Sequence, residues 1–415
     1  MKKAISLLLL AALLLLGAAG AEEARPLTVA VATDMHYFSP SLADFDEELI
    51  EVVYSLDGKV IHYSSQICKA FVRDMLRLRP DAVILSGDLT LNGEPVNHQE
   101  FSALLAQLTD AGLRVFVIPG NHDVGARGYV LSGGGAASAP ETTPDGFLAL
   151  YERYGYAGAL ARDADSLSYV AELSEDVWAL MVDVNGNSLP GYVMPSTLAW
   201  AEKQLQAAQE AGVTVIGVTH QTLLNHYGAF NQGVVIDNAQ RLLDLYKKYG
   251  VRLNLSGHTH LQHIMAAEDG PVEIVTASMA VSPGYYGVIT LDGKALDTYQ
   301  AIPVDVDGWA LEAGETNEDL LHFSAYTEAF FREVSRRKMA GSVADPSIPE
   351  EARQRMLDFA VDMNYCDFAG LRAEVKDPEA LSLWEKYLPN TFRTYYMDEL
   401  LTDSMEDMIF YRFKE

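Results

Sequence analysis

Five short stretches of this sequence carry groups that can act together: Asp34-Met35-His36, Gly87-Asp88, Gly120-Asn121-His122-Asp123, a lone His220, and Gly257-His258-Thr259-His260. Of the chain's 10 histidines, His36, His122, His220, His258 and His260 sit in these stretches. His62, His98, His226, His263 and His322 do not, and read as surface or packed side chains. Two carboxylates, an amide and four neutral imidazoles brought to one crevice would leave the acids repelling each other with little water around them. Cations remove that conflict, and a dinuclear metal centre would supply them. Oxygen and nitrogen donors of intermediate hardness suit Mn²⁺, Fe or Zn²⁺ better than Ca²⁺, which takes oxygen, or Cu(I), which takes sulfur. With only 2 cysteines, Cys68 and Cys366, a four-cysteine zinc site is excluded.

Each stretch follows an apolar, strand-like run, and the runs alternate with segments of helical period. The strands are read as Leu27 to Thr33, Ala82 to Ser86, Val115 to Ile118, Val177 to Val182, Val213 to Thr219 and Val251 to Ser256. The helices are read as Ser65 to Leu78, Asn97 to Ala111, Ser196 to Ala211 and Asn238 to Tyr249. Such alternation predicts an α/β fold with parallel strands, in which ligands bind beyond the carboxyl ends of the strands. From Val272 to Gln300 short strands and the turns Ser282-Pro283-Gly284 and Asp292-Gly293 predict antiparallel strands that complete a second sheet. Beyond Gly314 helical segments take over, near Asn317 to Lys338, Pro349 to Met363, Pro378 to Tyr387 and Phe392 to Met408. The glycine-rich stretch from Gly133 to Pro144 reads as a loop. Gly87, Gly120 and Gly257 each precede a proposed ligand, where a missing side chain lets the main chain come close.

Taken singly, Asp34 could cap a helix, Asp88 could belong to a turn and His220 could be a core histidine. Taken in order, the five blocks resemble the calcineurin-like metallophosphoesterase superfamily, whose pattern is Asp-x-His, Gly-Asp, Gly-Asn-His-(Asp/Glu), a lone His and Gly-His-x-His. The resemblance covers roughly residues 28 to 290. It implies a four-layer αββα sandwich, here with an appended C-terminal helical module. It also implies two divalent metal ions: Asp34, His36 and His260 on one, Asn121, His220 and His258 on the other, and Asp88 bridging the pair. A hydroxide shared by the metals would attack phosphorus, with Asp88 and His122 as the catalytic residues and His122 as general acid. Asp123 is expected to accept hydrogen bonds that fix a ligand's tautomer. Leu91 stands where purple acid phosphatases of this superfamily have a tyrosine, so a tyrosinate-iron site is disfavoured. The blocks look more like the branch of class III cyclic-nucleotide phosphodiesterases. The implied function is phosphodiester hydrolysis of a small phosphate ester. The alternatives are a phosphomonoesterase or nucleotidase, and a metal-containing envelope binding protein without catalysis.

Lysines and arginines number 30 against 58 aspartates and glutamates, a net charge of −28, which opposes binding to nucleic-acid polymers or anionic membranes. The densest basic stretch, Arg332 to Lys338, is interleaved with acids and reads as a solvated helix face. Arg127 is the nearest cation to the chemical blocks and reads first as a loop residue. Lys2 and Lys3, an apolar run from Leu7 to Leu16 and Ala19-Gly20-Ala21 form a secretory signal pattern, too short to span a bilayer. The expected organisation is a signal peptide at 1–21, a metallophosphoesterase domain at 22–314 and a helical module at 315–415, with export to the envelope or medium and no stable membrane insertion. In that compartment Cys68 and Cys366 could pair or remain thiols. Between the first two blocks, Ser39 to Ser64 looks like an insertion at the mouth of the site, either a source of substrate contacts or a solvated hairpin.

Overall fold

The computed structural model describes residues 25–43, 47–132, 135–228, 232–371, 377–391 and 408–414. The signal pattern at 1–21 and most of the helix expected at Phe392 to Met408 lie outside the described residues. Strands β1 (Leu27–Ala32), β2 (Ala82–Leu85) and β3 (Arg114–Val117) run parallel and begin the first sheet. β4 (Tyr129–Ser132) and β5 (Gly135–Ser138) form a separate antiparallel ribbon where the sequence suggests a loop. The second sheet is made of β6 (Ala161–Arg162), β7 (Tyr169–Ser174), β8 (Val177–Met181), β9 (Thr214–Val218), β10 (Leu253–Ser256), β11 (His263–Ala266) and β12 (Val272–Val275). Its order is β11-β12-β10-β9-β8-β7-β6, with β8, β9, β10 and β12 parallel. The chain then returns to the first sheet through β13 (Tyr285–Asp292), β14 (Ala295–Pro303) and β15 (Phe410–Arg412), giving the order β15-β14-β13-β1-β2-β3.

That return corrects the expectation for Val272 to Gln300. Only β12 joins the second sheet, whereas the β13–β14 hairpin pairs antiparallel with β1 and extends the first. The turn at Asp292-Gly293 is where expected, but turn chemistry fixes the hairpin and not the sheet it joins. β15 is a further departure from a purely helical C-terminus: three residues pair with β14 at the sheet edge.

The helices α1 (Glu47–Tyr54), α2 (Ser64–Leu78), α3 (Pro95–Asp110), α4 (Pro144–Tyr151), α5 (Pro195–Ala211) and α6 (Ala239–Tyr249) surround the sheets. Each of α3, α4 and α5 starts with proline, whose missing N–H costs nothing in a first turn. Alternation along β8 sorts its side chains: Leu180 packs with Leu205, Leu242 and Tyr246 of α5 and α6, while Ala179 and Met181 face the core between the sheets. The same continuous core takes Ile67, Phe71, Phe101 and Leu105 from α2 and α3. Two mixed sheets between helical layers result, as the resemblance implies.

The C-terminal helices are α7 (Val306–Ala313), α8 (Glu318–Leu321), α9 (Phe323–Ala340), α10 (Glu350–Phe368) and α11 (Pro378–Tyr387). Met356 and Trp384 centre a separate core, with Trp384 Nε1 donating to the Met356 carbonyl at 2.9 Å. Phe323, Phe330 and Val334 of α9 belong instead to the main core. The insertion is helical, not a hairpin, and it docks on α9: Tyr54 stacks on Phe330, and His62 Nε2 meets the Tyr326 hydroxyl at 2.8 Å. The basic stretch of α9 is a seam more than a solvated face. Arg332 pairs with Asp362 and Arg336 with Asp358 of α10, while Arg337 pairs with Glu51 and Lys338 with Asp57 of the insertion. No disulfide joins Cys68 to Cys366; Cys68 is buried, which pushes its thiol pKa up. Among the described residues no helix is long and apolar enough to cross a membrane.

Candidate metal centre

All five blocks leave the carboxyl ends of β1, β2, β3, β9 and β10, and main-chain bonds tie the turns together. Asp34 N donates to the Gly87 carbonyl and His36 N to that of Asp88, both at 3.0 Å; Gly257 N donates to His220 at 2.9 Å. Close approach has a cost in side-chain space. A Cβ on Gly120 would lie 2.1 Å from Asp88 Oδ1, and one on Gly257 2.1 Å from Thr33 Oγ1. Strain collects here too. Nine non-glycine residues among those described have positive φ, and five of them are Asp34, His36, Asp88, His258 and His260. Each such conformation costs about 1–3 kcal/mol, a strain that persists where surrounding structure enforces it and that concentrates at functional sites.

The proposed ligands converge as two groups that share one residue. Asp34, His36, Asp88 and His260 offer atoms within 4.8 Å of one another, as do Asp88, His220 and His258. His260 Nε2 lies 3.2 Å from Asp34 Oδ1 and 3.1 Å from His36 Nε2. Asp88 Oδ2 is 3.3 Å from His220 Nε2 and 3.9 Å from His36 Nε2, so it stands between the groups. Asn121 Oδ1 completes the second group, 3.1 Å from His220 Nε2.

Tautomers follow from the carbonyls behind the rings. His220 Nδ1 must donate to the Ser86 carbonyl at 2.9 Å, which turns the Nε2 lone pair toward Asp88 and Asn121. His258 Nε2 must donate to the Gly233 carbonyl at 2.8 Å, which leaves Nδ1 for an ion. Asp34 Oδ2 accepts from Thr33 Oγ1 and His258 N, whereas Asp34 Oδ1 is buried without a hydrogen-bond donor. Acceptors facing acceptors at about 3 Å, beside an orphaned carboxylate oxygen, fit cations.

Electrostatics agree with that fit. Burial opposes ionisation of Asp34 and Asp88, yet neighbouring imidazoles, His260 for Asp34 and His220 for Asp88, carry both below the usual carboxylate range. Burial lowers His36 and His260 and holds His258 near 4, so these rings are neutral donors at neutral pH. His220 is opposed by burial but raised by Asp88 to about 9; in the metal-free chain its proton occupies the place of a cation.

Residues 27–262 match the family model for calcineurin-like phosphoesterases, more than half of the chain. The chain belongs to the calcineurin-like phosphoesterase family. Residues 305–407 match the C-terminal domain of cyclic nucleotide phosphodiesterase, which covers the appended helices. A protein of Arcobacter nitrofigilis described as a probable glycerophosphodiester phosphodiesterase, GpdQ, is 25% identical over 276 residues, spanning 62% of this chain and 86% of its own. Among solved structures, a dimetal phosphatase from Danio rerio is 12% identical, with a TM-score of 0.47 over 67% of this chain and 96% of that one. A putative 5′-nucleotidase from Staphylococcus aureus, solved with α-ketoglutarate, is 14% identical with a TM-score of 0.41 over 74% of this chain and 58% of that one. The chain is thus a metallophosphoesterase, from a family that uses divalent metals and acts on small phosphate esters.

His122 stands beside the ligand groups. Its backbone N donates to Asp88 Oδ1 at 2.8 Å, its ring lies 5.2 Å from that of His36, and its Nδ1 donates to Asn92 Oδ1 at 2.6 Å. Nε2 is thereby left for a reacting oxygen. Asp123 departs from expectation: its carboxylate accepts from Leu89 N, Thr90 N, Thr90 Oγ1 and Gly120 N, and so ties two ligand turns together without touching a ligand histidine. Arg127 is exposed.

Two residues escaped the sequence reading. Asn92 lies in the run after Asp88, and only its contact with His122 singles it out. Lys59, in the insertion, is 8% exposed, and its ammonium has no hydrogen bond or ion pair among the described residues. Its neighbour Val60 donates to the Ala280 carbonyl at 2.9 Å, and Ser278 in the same segment bonds to the carbonyls of His260 and Asp34. From there the ammonium acts on Asp34, Asp88, His36 and His260. Among the five histidines set aside, His98, His226 and His263 are buried and hydrogen-bonded away from this centre, and His322 is exposed.

Proposed function

We propose that the chain is an exported, two-metal phosphodiesterase. The observation that carries the reading is Asp88, shared between two groups of imidazoles and carboxylates, with an oriented His122 beside it. Two divalent ions bound there would supply Lewis acidity and make water acidic enough to attack near neutral pH. Asp34, His36, Asp88 and His260 would hold one, and Asp88, Asn121, His220 and His258 the other. In hydrolysis a water oxygen bonds to phosphorus as the ester P–O bond breaks. His122 gives its Nε2 proton to the departing alkoxide, and Asn92 keeps Nε2 turned toward it. Lys59 attracts the anionic phosphate. The relative described as a probable glycerophosphodiester phosphodiesterase and the match to a cyclic nucleotide phosphodiesterase C-terminal domain favour a diester.

Hydrolysis of bis-p-nitrophenyl phosphate and p-nitrophenyl phosphate with Mn²⁺ tests this in the wild type, Asp88→Asn and His122→Ala. Asp88→Asn is expected to lose metal and activity together, and His122→Ala to keep metal while losing about 10²–10⁴ in rate. Equal rates in all three preparations would overturn the reading. A phosphomonoesterase is the second reading, favoured by Lys59, because a buried ammonium suits the dianion of a monoester. The ratio of the two wild-type rates decides between them. Export rests on the sequence at 1–21; a secreted chain starting at Glu22 is expected, and an uncleaved cytoplasmic chain would refute it.

A further inference from the structure

Beside the metal centre lies a cavity of about 450 Å³. His258 and His260 form one wall. The opposite wall comes from the C-terminal helices, through Phe331 and Ser335 of α9 and Asn364 and Phe368 of α10. The two walls are tied together, since Gln262 N, two residues past His260, donates to the Phe368 carbonyl at 3.0 Å. Phe331 and Phe368 meet at 52° with ring centroids 5.0 Å apart, making an apolar corner, and Asn364 Nδ2 donates to Ser335 Oγ at 2.9 Å to set a polar pair beside it. Water gains little in an apolar corner, whereas a flat organic group gains burial against the ring faces. His122 does not line this cavity. In an in-line displacement the departing oxygen points to the general acid, so a group reaching the cavity is one that stays on phosphorus.

We propose that this cavity binds the organic arm retained on phosphorus, and that Phe331 and Phe368 select a planar, aromatic arm. The proposal rests on the phosphodiesterase reading above. The C-terminal helices then supply specificity, while the strand ends supply the chemistry.

The test uses the full-length, Mn²⁺-loaded protein and two diesters with the same leaving group, phenyl p-nitrophenyl phosphate and ethyl p-nitrophenyl phosphate. The wild type is expected to prefer the phenyl diester, and Phe368→Leu to cut that preference in kcat/KM about tenfold. Calorimetry with phenyl phosphate and methyl phosphate should show the same loss of preference in Kd. Phe331→Leu repeats the measurement at the buried ring, and melting curves establish that each variant folds; the half-buried Phe368 decides if Phe331→Leu does not. An unchanged phenyl-to-ethyl ratio in folded Phe368→Leu would overturn the proposal. Should the wild type hydrolyse neither diester, the phosphodiesterase reading fails, and the calorimetric preference for phenyl phosphate still tests the cavity.

Discussion

Replacing Gly257 by alanine perturbs the metal centre while leaving every proposed ligand in place. The new Cβ would sit 2.1 Å from Thr33 Oγ1 and 2.5 Å from Asp34 Oδ2. Ordinary contact starts at 3.4 Å, so the turns carrying Asp34 and His258 must part by about 1.3 Å. Neither neighbour can swing away freely: Thr33 Oγ1 donates to Asp34 Oδ2 at 2.8 Å, and Asp34 N is bonded to Gly87. The separation removes the bond from His258 N to Asp34 Oδ2, now 2.9 Å, and strains the one from Thr33. A hydrogen bond to a carboxylate contributes about 1.5–3 kcal/mol, so losing the one from His258 N and weakening the one from Thr33 costs on the order of 3 kcal/mol. That corresponds to a loss of about 100-fold in affinity for Mn²⁺. Calorimetric titration of the metal-free protein and elemental analysis after gel filtration would measure it. Gly341→Ala is the control, because nothing lies within 4 Å of its Cβ and its φ of −60° suits any residue. Wild-type Mn²⁺ affinity in a folded Gly257→Ala protein would refute the packing argument.

Asn92→Ala removes the acceptor that orients His122. It should lower kcat about 10- to 100-fold with metal content unchanged, and an unaltered kcat would show that His122 needs no such support. His62 carries a pH dependence. Burial lowers its pKa to about 4, its Nδ1 is buried without a partner, and Tyr63, Tyr326 and the distant Asp319 are the titratable groups around it. The unfolded chain therefore takes up this proton near pH 6.5 and the folded chain only near pH 4. The contribution is complete above about pH 6.5 and is lost as pH falls toward 4, about 2 kcal/mol between pH 7 and 5. Urea melts of wild type and His62→Phe at both pH values would measure it; equal pH slopes would exclude His62 as the cause.

Much of the site was legible because its ligands are local signatures. Each block joins a strand end to a residue type with a fixed chemical use, so the family resemblance of the ordered blocks offers Asp34, His36, Asp88, Asn121, His220, His258 and His260 as candidate ligands, and the fold brings them together. Lys59 offers no comparable signal. It reaches the centre through a turn bonded to Ala280, 220 positions along the chain, and neither sequence segment mentions the other. Asn92 is similar on a smaller scale, since an asparagine in a turn is ordinary until a histidine ring is found 2.6 Å away.

Alternating apolar and polar residues, strand-to-helix order and the five chemical blocks determined the α/β architecture, the family and the candidate donors, because backbone periodicity and ligand chemistry are properties of short segments. Only the tertiary structure decided which sheet took the β13–β14 hairpin, that β15 closes an edge, and that the insertion and α9 wall the cavity beside His258 and His260. Those outcomes depend on contacts between segments far apart in the chain. Their free energy comes from burying matched surfaces, and no single segment carries both halves of the match.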